Sequence, residues 1–287
     1  MNPSPMSEPS QNAATPPAVR DADADHRFRE SARRHGWDPD DPWVGGYATW
    51  EWRRSRHAYD DLFTSVRGKK VLEFGCHFGG TAVVLATLGA EVTALDVDPM
   101  YVELAQLNAE RHGLSDRIRV HHVPDTTAMP FADREFELVS CNSVLEYVPP
   151  ERLPAVQREI DRVLAPWGFI VILGTSNRLW PVECHSRRIL MNYVPRLLRP
   201  LFPGRSIYSV FPWELRRGFG DYVDISQQDR GRLIVDLKAK MGLSRPRLMA
   251  FSATNRLLGP LGMHVGCVSP TITMVLQKRG EGGAGDG

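Results

Sequence analysis

No stretch of this 287-residue chain approaches the ~20 consecutive apolar residues that a membrane-spanning helix requires; apolar runs such as residues 169–173 are far shorter. No transmembrane segment is expected. Cysteine is scarce too: Cys76, Cys141, Cys184 and Cys267 are scattered and form no C-x-x-C pair, which argues against both a zinc site and a disulfide framework. A reducing, cytoplasmic setting without a bound metal is the expectation. Charge of one sign is not in excess either, since 35 Lys and Arg face 34 Asp and Glu for a formal net charge of +1. No global field recruits nucleic acid, and no DNA or RNA partner is expected. The N-terminus has no basic segment followed by an apolar one, so it does not read as a secretion signal, and no internal repeat is evident.

What is present is an ordinary globular composition, 42% hydrophobic and 24% charged, long enough for one large domain with elaborations. Residues 1–36, rich in Pro, Ser, Ala and Asn at their start, read as a disordered tail, and the glycine-rich residues 280–287 as another. Between them, residues 37–279 read as a single domain. Residues 37–66 form an N-terminal cover, aromatic and Gly/Pro-rich at first and helical from about Glu51, with Tyr59, Leu62 and Phe63 on one side.

From residue 67 to 176 the pattern alternates strand and helix. Strands are expected at residues 71–74, 91–95, 118–122, 136–141 and 169–173, and helices at 80–88, 99–112 and 150–164. The helix at 99–112 opens on Pro99 and stops before Gly113, the usual asymmetry of start and stop. In the helix at 150–164, Leu153, Val156, Ile160 and Val163 make one apolar stripe. Such a rhythm builds an α/β doubly wound sheet with helices on both faces. Residues 177–227 break the rhythm and read as an insertion over the C-terminal ends of the strands. Residues 228–279 complete the sheet, with a helix at 228–241, a strand near 246–251 and a last strand at 271–278.

The chemistry concentrates at Val71-Leu72-Glu73-Phe74-Gly75-Cys76-His77-Phe78-Gly79-Gly80, a strand running through a glycine turn into a helix. Glycines there let backbone approach a ligand, and the helix start aims free N–H groups at it. About 20 residues on, Asp96 ends the second strand, where a carboxylate can accept both hydroxyls of a ribose. Asp125, after the third strand, precedes Met129-Pro130-Phe131, an acidic acceptor beside an apolar wall that suits an adenine ring. Asp98 reads instead as the cap of the helix at Pro99. A nicotinamide-dependent oxidoreductase shares a glycine turn and a later acid, but the turn lacks G-x-G-x-x-G and no Tyr-x-x-x-Lys pair lies in a suitable place.

On these residues the chain resembles the class I S-adenosylmethionine-dependent methyltransferases, in particular the branch containing quinone-biosynthesis and polysaccharide-modifying enzymes. The resemblance covers residues 70–176 and rests on Leu72-Glu73-Phe74-Gly75-Cys76, Ala94-Leu95-Asp96-Val97-Asp98, Pro124-Asp125, Phe136-Glu137-Leu138-Val139, Ser143-Val144-Leu145-Glu146-Tyr147-Val148 and Leu164-Ala165-Pro166-Trp167-Gly168. It implies a Rossmann-like sheet of seven strands and S-adenosyl-L-methionine as cofactor. The implied contacts are Glu73, Gly75, Cys76, His77 and Gly79 beside the methionine portion, Asp96 and Val97 at the ribose, Asp125 and Thr126 at the adenine, and Asn142 on the methyl-donating side. One departure stands out: His77 occupies a position where the family carries a small residue. It reads as a rim residue whose ring must turn away from the ligand or reshape the pocket.

The implied reaction is methyl transfer to a small-molecule acceptor, through a hydroxyl oxygen of a secondary metabolite, quinone-like lipid or sugar. The alternative reading is a cofactor-binding protein without catalysis. His185, with Glu183 to orient it or act itself, is the candidate base that follows strand five, because histidine titrates near neutral pH. Cys184 between them reads as packing. The segment from Arg187 to Arg205 interleaves arginines with Ile189, Leu190, Leu197, Leu198 and Phe202. It admits an amphipathic cover helix, or a peripheral contact with membrane or a lipid-linked acceptor.

Overall fold

The computed structural model describes residues 15–62, 65–184, 189–194 and 207–280. One seven-stranded sheet organises them, in the order β3-β2-β1-β4-β5-β7-β6. The strands are β1 (Lys70–Phe74), β2 (Glu91–Asp96), β3 (Ile118–His122), β4 (Phe136–Asn142), β5 (Leu164–Ser176), β6 (Tyr222–Asp224) and β7 (Thr271–Lys278). The first five run parallel, and β7 lies antiparallel between β5 and β6. The order reverses between β1 and β4, so the crevice beyond their C-terminal ends is the switch point where such sheets bind ligands.

Both sheet faces are buried, as a parallel sheet demands. One face packs α2 (Tyr47–His57), α3 (Gly80–Thr87) and α4 (Pro99–Arg111) through Trp52, Val83, Leu85 and Ala105; the other packs α5 (Leu153–Val163) through Val156, Ile160 and Val163. The stripe that the spacing predicts on α5 is the stripe it buries, and Asp98 caps α4 by accepting the Met100 N–H at 2.9 Å.

Three expectations need correction. Residues 22–34, placed within a disordered tail, form α1 (Ala22–Arg34), capped by Asp21 and packed on α4. Its Phe28 is fully buried, with the Arg111 guanidinium 3.9 Å from the ring centroid and an Arg111–Asp25 ion pair at 2.9 Å. α1 docks through a short stripe of Ala24, Phe28, Ser31 and Ala32, reinforced by the buried Arg111 of α4 and its ion pair with Asp25. The strand expected near 246–251 is instead part of α8 (Arg245–Leu258), which follows α7 (Gln228–Lys240), and the sixth strand is the short β6 inside the segment read as an insertion. Finally, the N-terminal cover begins its helix at Tyr47 and passes into a π-helical turn at Ala58–Leu62. Residues 1–14, Phe63, residues 195–206 and the tail from 281 lie outside the described residues, as do Arg187 and Arg188. Within α6 (Pro212–Gly218), α9 (Val265–Val268) and every other described helix, no segment is long and apolar enough to cross a membrane.

Candidate cofactor site

β1 delivers Glu73 to the crevice and then turns sharply. Gly75 has φ +73°, and a side chain there would put its first carbon 2.2 Å from Val144 Cγ2. The N–H groups of Gly75 and Cys76 both donate to Leu95 O, at 3.0 and 2.8 Å, tying the turn to β2. Gly79, at φ +76°, caps α3 and abuts Ala105 of α4. Position 77 also takes a left-handed conformation, φ +51°, although it is not glycine. The His77 backbone N–H donates to Asp96 Oδ2 at 2.9 Å. Its ring sits among aromatics, 4.1 Å from Tyr101 and 4.0 Å from Phe78 between centroids, with Tyr47 at 5.9 Å and Trp37 at 6.4 Å. The ring that the sequence flags as a departure is thus housed by α1–α2 cover residues and α4.

Asp96 ends β2 with its carboxylate nearly buried, accepting also from the Asp98 N–H at 3.1 Å. Burial raises its pKa above the ordinary carboxylate range, opposed by the His77, Asp98 and Val97 backbone donors. Glu73 is more extreme: burial first, and the nearby Glu51 carboxyl second, push its pKa well up. Cys76 lies between the two acids, and burial followed by Asp96 and Glu73 raises its thiol. Asn142, at the end of β4, donates through Nδ2 to Thr81 Oγ1 at 2.9 Å. Glu73, Cys76, His77, Asp96 and Asn142 therefore converge at one sheet end.

Other candidates stand apart. Val97 is exposed on the rim. Asp125 is exposed, its Oδ1 accepting from Thr127 N–H at 3.0 Å and Thr127 Oγ1 at 2.7 Å while pairing with Arg152. These donors, Thr127 foremost, hold its carboxyl below the usual range, and Thr126 beside it is partly buried. Glu183 is buried and accepts from Ser176 Oγ at 3.3 Å, within a network joining Ser176, Ser209 and Asn192. His185 lies outside the described residues.

The sequence reading overlooked Tyr47, Glu51 and Arg54 of α2. Tyr47 occupies the space a side chain at Gly80 would need, 2.4 Å from the would-be carbon, and Arg54 Nη2 does the same at Gly174, at 2.2 Å. Glu51, between them along the helix, is fully buried. The signal was available, because Tyr47, Ala48, Glu51, Trp52 and Ser55 share one helical stripe. An acid on that stripe is the anomaly to notice.

Among the described residues, Asp224, His264 and Cys267 also bring metal-type donors together. That cluster is already closed chemically: Gly266 N–H donates to His264 Nδ1 at 3.1 Å, leaving the proton on Nε2, and Arg216 pairs with Asp224 at 2.6 Å.

An S-adenosyl amino acid fits the converged site on the chemistry of its donor set. Asp96 would accept from its ribose hydroxyls, and Glu73 Oε2 and Asn142 Oδ1 are buried oxygens without an aligned donor.

Residues 71–168 match the family described as Methyltransferase domain. A ubiquinone biosynthesis O-methyltransferase of Psychrobacter arcticus is 35% identical over 111 residues, 39% of this chain and 42% of that protein. One of Xanthomonas euvesicatoria pv. vesicatoria is 32% identical over 162 residues, 56% of this chain and 64% of that protein. The matches thus span about two fifths to two thirds of these relatives' length. Among solved structures, an S-adenosylmethionine dependent methyltransferase from Mesorhizobium loti aligns over 81% of this chain and 97% of its own at 17% identity, with a TM-score of 0.47.

Proposed function

We propose, proceeding from the class I S-adenosylmethionine-dependent methyltransferase domain that this chain carries, that the protein transfers a methyl group from S-adenosylmethionine to a hydroxyl oxygen of a small-molecule acceptor. The observation that carries this reading is the buried Asp96 carboxylate locked to the glycine turn through the His77 N–H, beside the acceptors of Glu73 and Asn142. The first named relatives are O-methyltransferases, which supports oxygen as the acceptor atom.

When bound, S-adenosylmethionine supplies a methyl group activated on a sulfonium. The chain's residues supply position and charge. Asp96 would hold the ribose hydroxyls, and the turn at Gly75 would bring main chain against the ligand. Glu73 and Asn142 lie at the β1–β4 switch point and would receive the amino-acid end. Fixing two reactants in a near-attack arrangement is worth about 7–11 kcal/mol, more than the roughly 3–5 kcal/mol of proton transfer by a side chain. Geometry is therefore the main contribution of the fold. The cysteines, none in a disulfide, support a reducing cytoplasmic setting.

Asp96→Asn is expected to weaken S-adenosylhomocysteine binding about ten- to a hundredfold while leaving the circular dichroism spectrum unchanged, because charge-assisted ribose bonds are lost. Calorimetry showing wild-type affinity in this variant would overturn the assignment. Mass spectrometry of the purified protein, searching for retained S-adenosyl compounds, checks the cofactor independently.

A further inference from the structure

We propose that Glu51, a residue of the N-terminal cover, completes a cation-binding cradle in which its carboxylate, that of Glu73 and the amide oxygen of Asn142 receive a positively charged group of the S-adenosyl amino acid. The inference rests on the reading of the pocket given above, and adds to it a residue from outside the cofactor-binding core.

Burying a carboxylate is unfavourable unless donors or a cation compensate it. Glu51 is fully buried, yet neither of its oxygens accepts an aligned hydrogen bond, and Glu73 Oε2 and Asn142 Oδ1 share that condition. The neighbouring donors have bonds elsewhere. Ser55 Oγ donates to the Glu51 main-chain carbonyl at 2.9 Å, Asn142 Nδ2 to Thr81 Oγ1 at 2.9 Å, and Tyr59 and Ser140 bond each other at 2.7 Å. Arg54 Nη1 stands 3.9 Å from Glu51 Oε1, too far for a hydrogen bond. Tyr47, Ser55 and Asn142 stand close to the Glu51 carboxylate, and Ser140 and Thr81 to that of Glu73, but none of these neutral donors is aligned on the acceptor oxygens left over. Their complement is a donor that carries positive charge.

The course of α2 explains how Glu51 comes to be there. Tyr47 packs on Gly80 at the start of α3, and Arg54 packs on Gly174 near the end of β5. Between these anchors Glu51 is buried, near enough to Glu73 to raise its pKa and close to the Asn142 amide. Charge balance agrees with the placement. Two carboxylates and one guanidinium leave one negative charge, and an ammonium, a carboxylate and a sulfonium carry one positive charge together. In the empty pocket burial and mutual repulsion favour protonation of the pair. Burial, the largest cause, raises both acids; Arg54 and then the Ser55, Asn142 and Tyr47 side chains oppose it at Glu51, while at Glu73 the Glu51 charge reinforces it and the Ser140 and Thr81 hydroxyls oppose it. The groups facing the pair are Tyr47 and Arg54 of α2, Tyr59 of the π-helical turn, and Cys76 and Cys141; burial and then Arg54 lower the pKa of Lys238 of α7. A bound cation favours the ionised pair, so binding shifts protons to the buffer.

The test is Glu51→Gln in the full chain, titrated calorimetrically with S-adenosylmethionine, S-adenosylhomocysteine and 5′-methylthioadenosine. These probes carry ammonium and sulfonium, ammonium alone, and neither cation. A loss of about ten- to a hundredfold for the first two, with 5′-methylthioadenosine unchanged, assigns the cradle to the ammonium. A loss confined to S-adenosylmethionine assigns it to the sulfonium. In paired buffers of different ionisation heat, the wild type should release a fraction of a proton on binding and the variant none. The empty variant should melt about 2–4 °C higher, since an uncompensated buried acid is gone; a merely structural Glu51 would melt lower. Glu51→Asp, which retains the charge one methylene back, should lose less affinity in the same probe pattern. Unchanged affinities, or equal losses for all three probes, overturn the cradle. A wild-type chain that binds none of the probes overturns the pocket reading as well.

Discussion

Single residues set the ionisation of this molecule wherever burial outweighs hydration. His112, at the C-cap of α4, is buried, with Nδ1 2.8 Å from Asn108 O. A helix C-terminus favours imidazolium, but burial wins, joined by the Arg111 charge, and the pKa falls from 6.5 to about 4. The unfolded chain therefore takes up this proton first. Its contribution is complete above about pH 6.5, declines as pH falls toward about 4, and is flat below that. Urea unfolding should show a loss of about 2–3 kcal/mol over this interval. The loss should vanish in His112→Gln, and an unchanged slope in that variant would remove His112 as its source. The glycine turn illustrates a different residue-scale effect. Gly75 is required by its left-handed backbone and by Val144, whereas His77 holds a similar conformation without that excuse and compensates through the Asp96 bond and its aromatic neighbours.

At the scale of elements, the helices and strands with strong periodicity were legible and those held by special contacts were not. The α5 stripe and the Pro99 start of α4 emerge directly from spacing, because they bury apolar faces of regular period. α1 escaped notice because its buried stripe holds one large apolar residue, Phe28, between two alanines, and its Asp25 is met by Arg111 of α4, which also bonds Asn108 and Gly45. Phe28→Ala should lower stability by about 3–5 kcal/mol, seen as a reduced urea midpoint at constant m-value. A loss below 1 kcal/mol would mean that α1 does not dock on α4 in solution. β6 was missed for another reason: three residues carry almost no pattern, and only pairing with β7 makes them a strand. The α8 segment was read as a strand from a short apolar run, where period alone does not separate the two states.

For the molecule as a whole, the crevice draws on α2, β1, β2, α3 and β4, so a ligand there links the cover to the core. S-adenosylhomocysteine at about a hundred times its dissociation constant should add about 2.7 kcal/mol and raise the melting temperature by about 5–10 °C. Scanning fluorimetry that shows no concentration-dependent rise would contradict this linkage. The amino-acid order alone determined the alternating parallel core, the turn at Gly75 and the carboxylate of Asp96, because each depends on neighbours within a few residues or on one strand-to-strand step. The Asn142–Thr81 contact, the housing of His77 and the burial of Glu51 near Glu73 belong to tertiary structure alone. They join segments far apart along the chain, and whether a buried acid meets a donor, a cation or another acid is decided only when those segments pack.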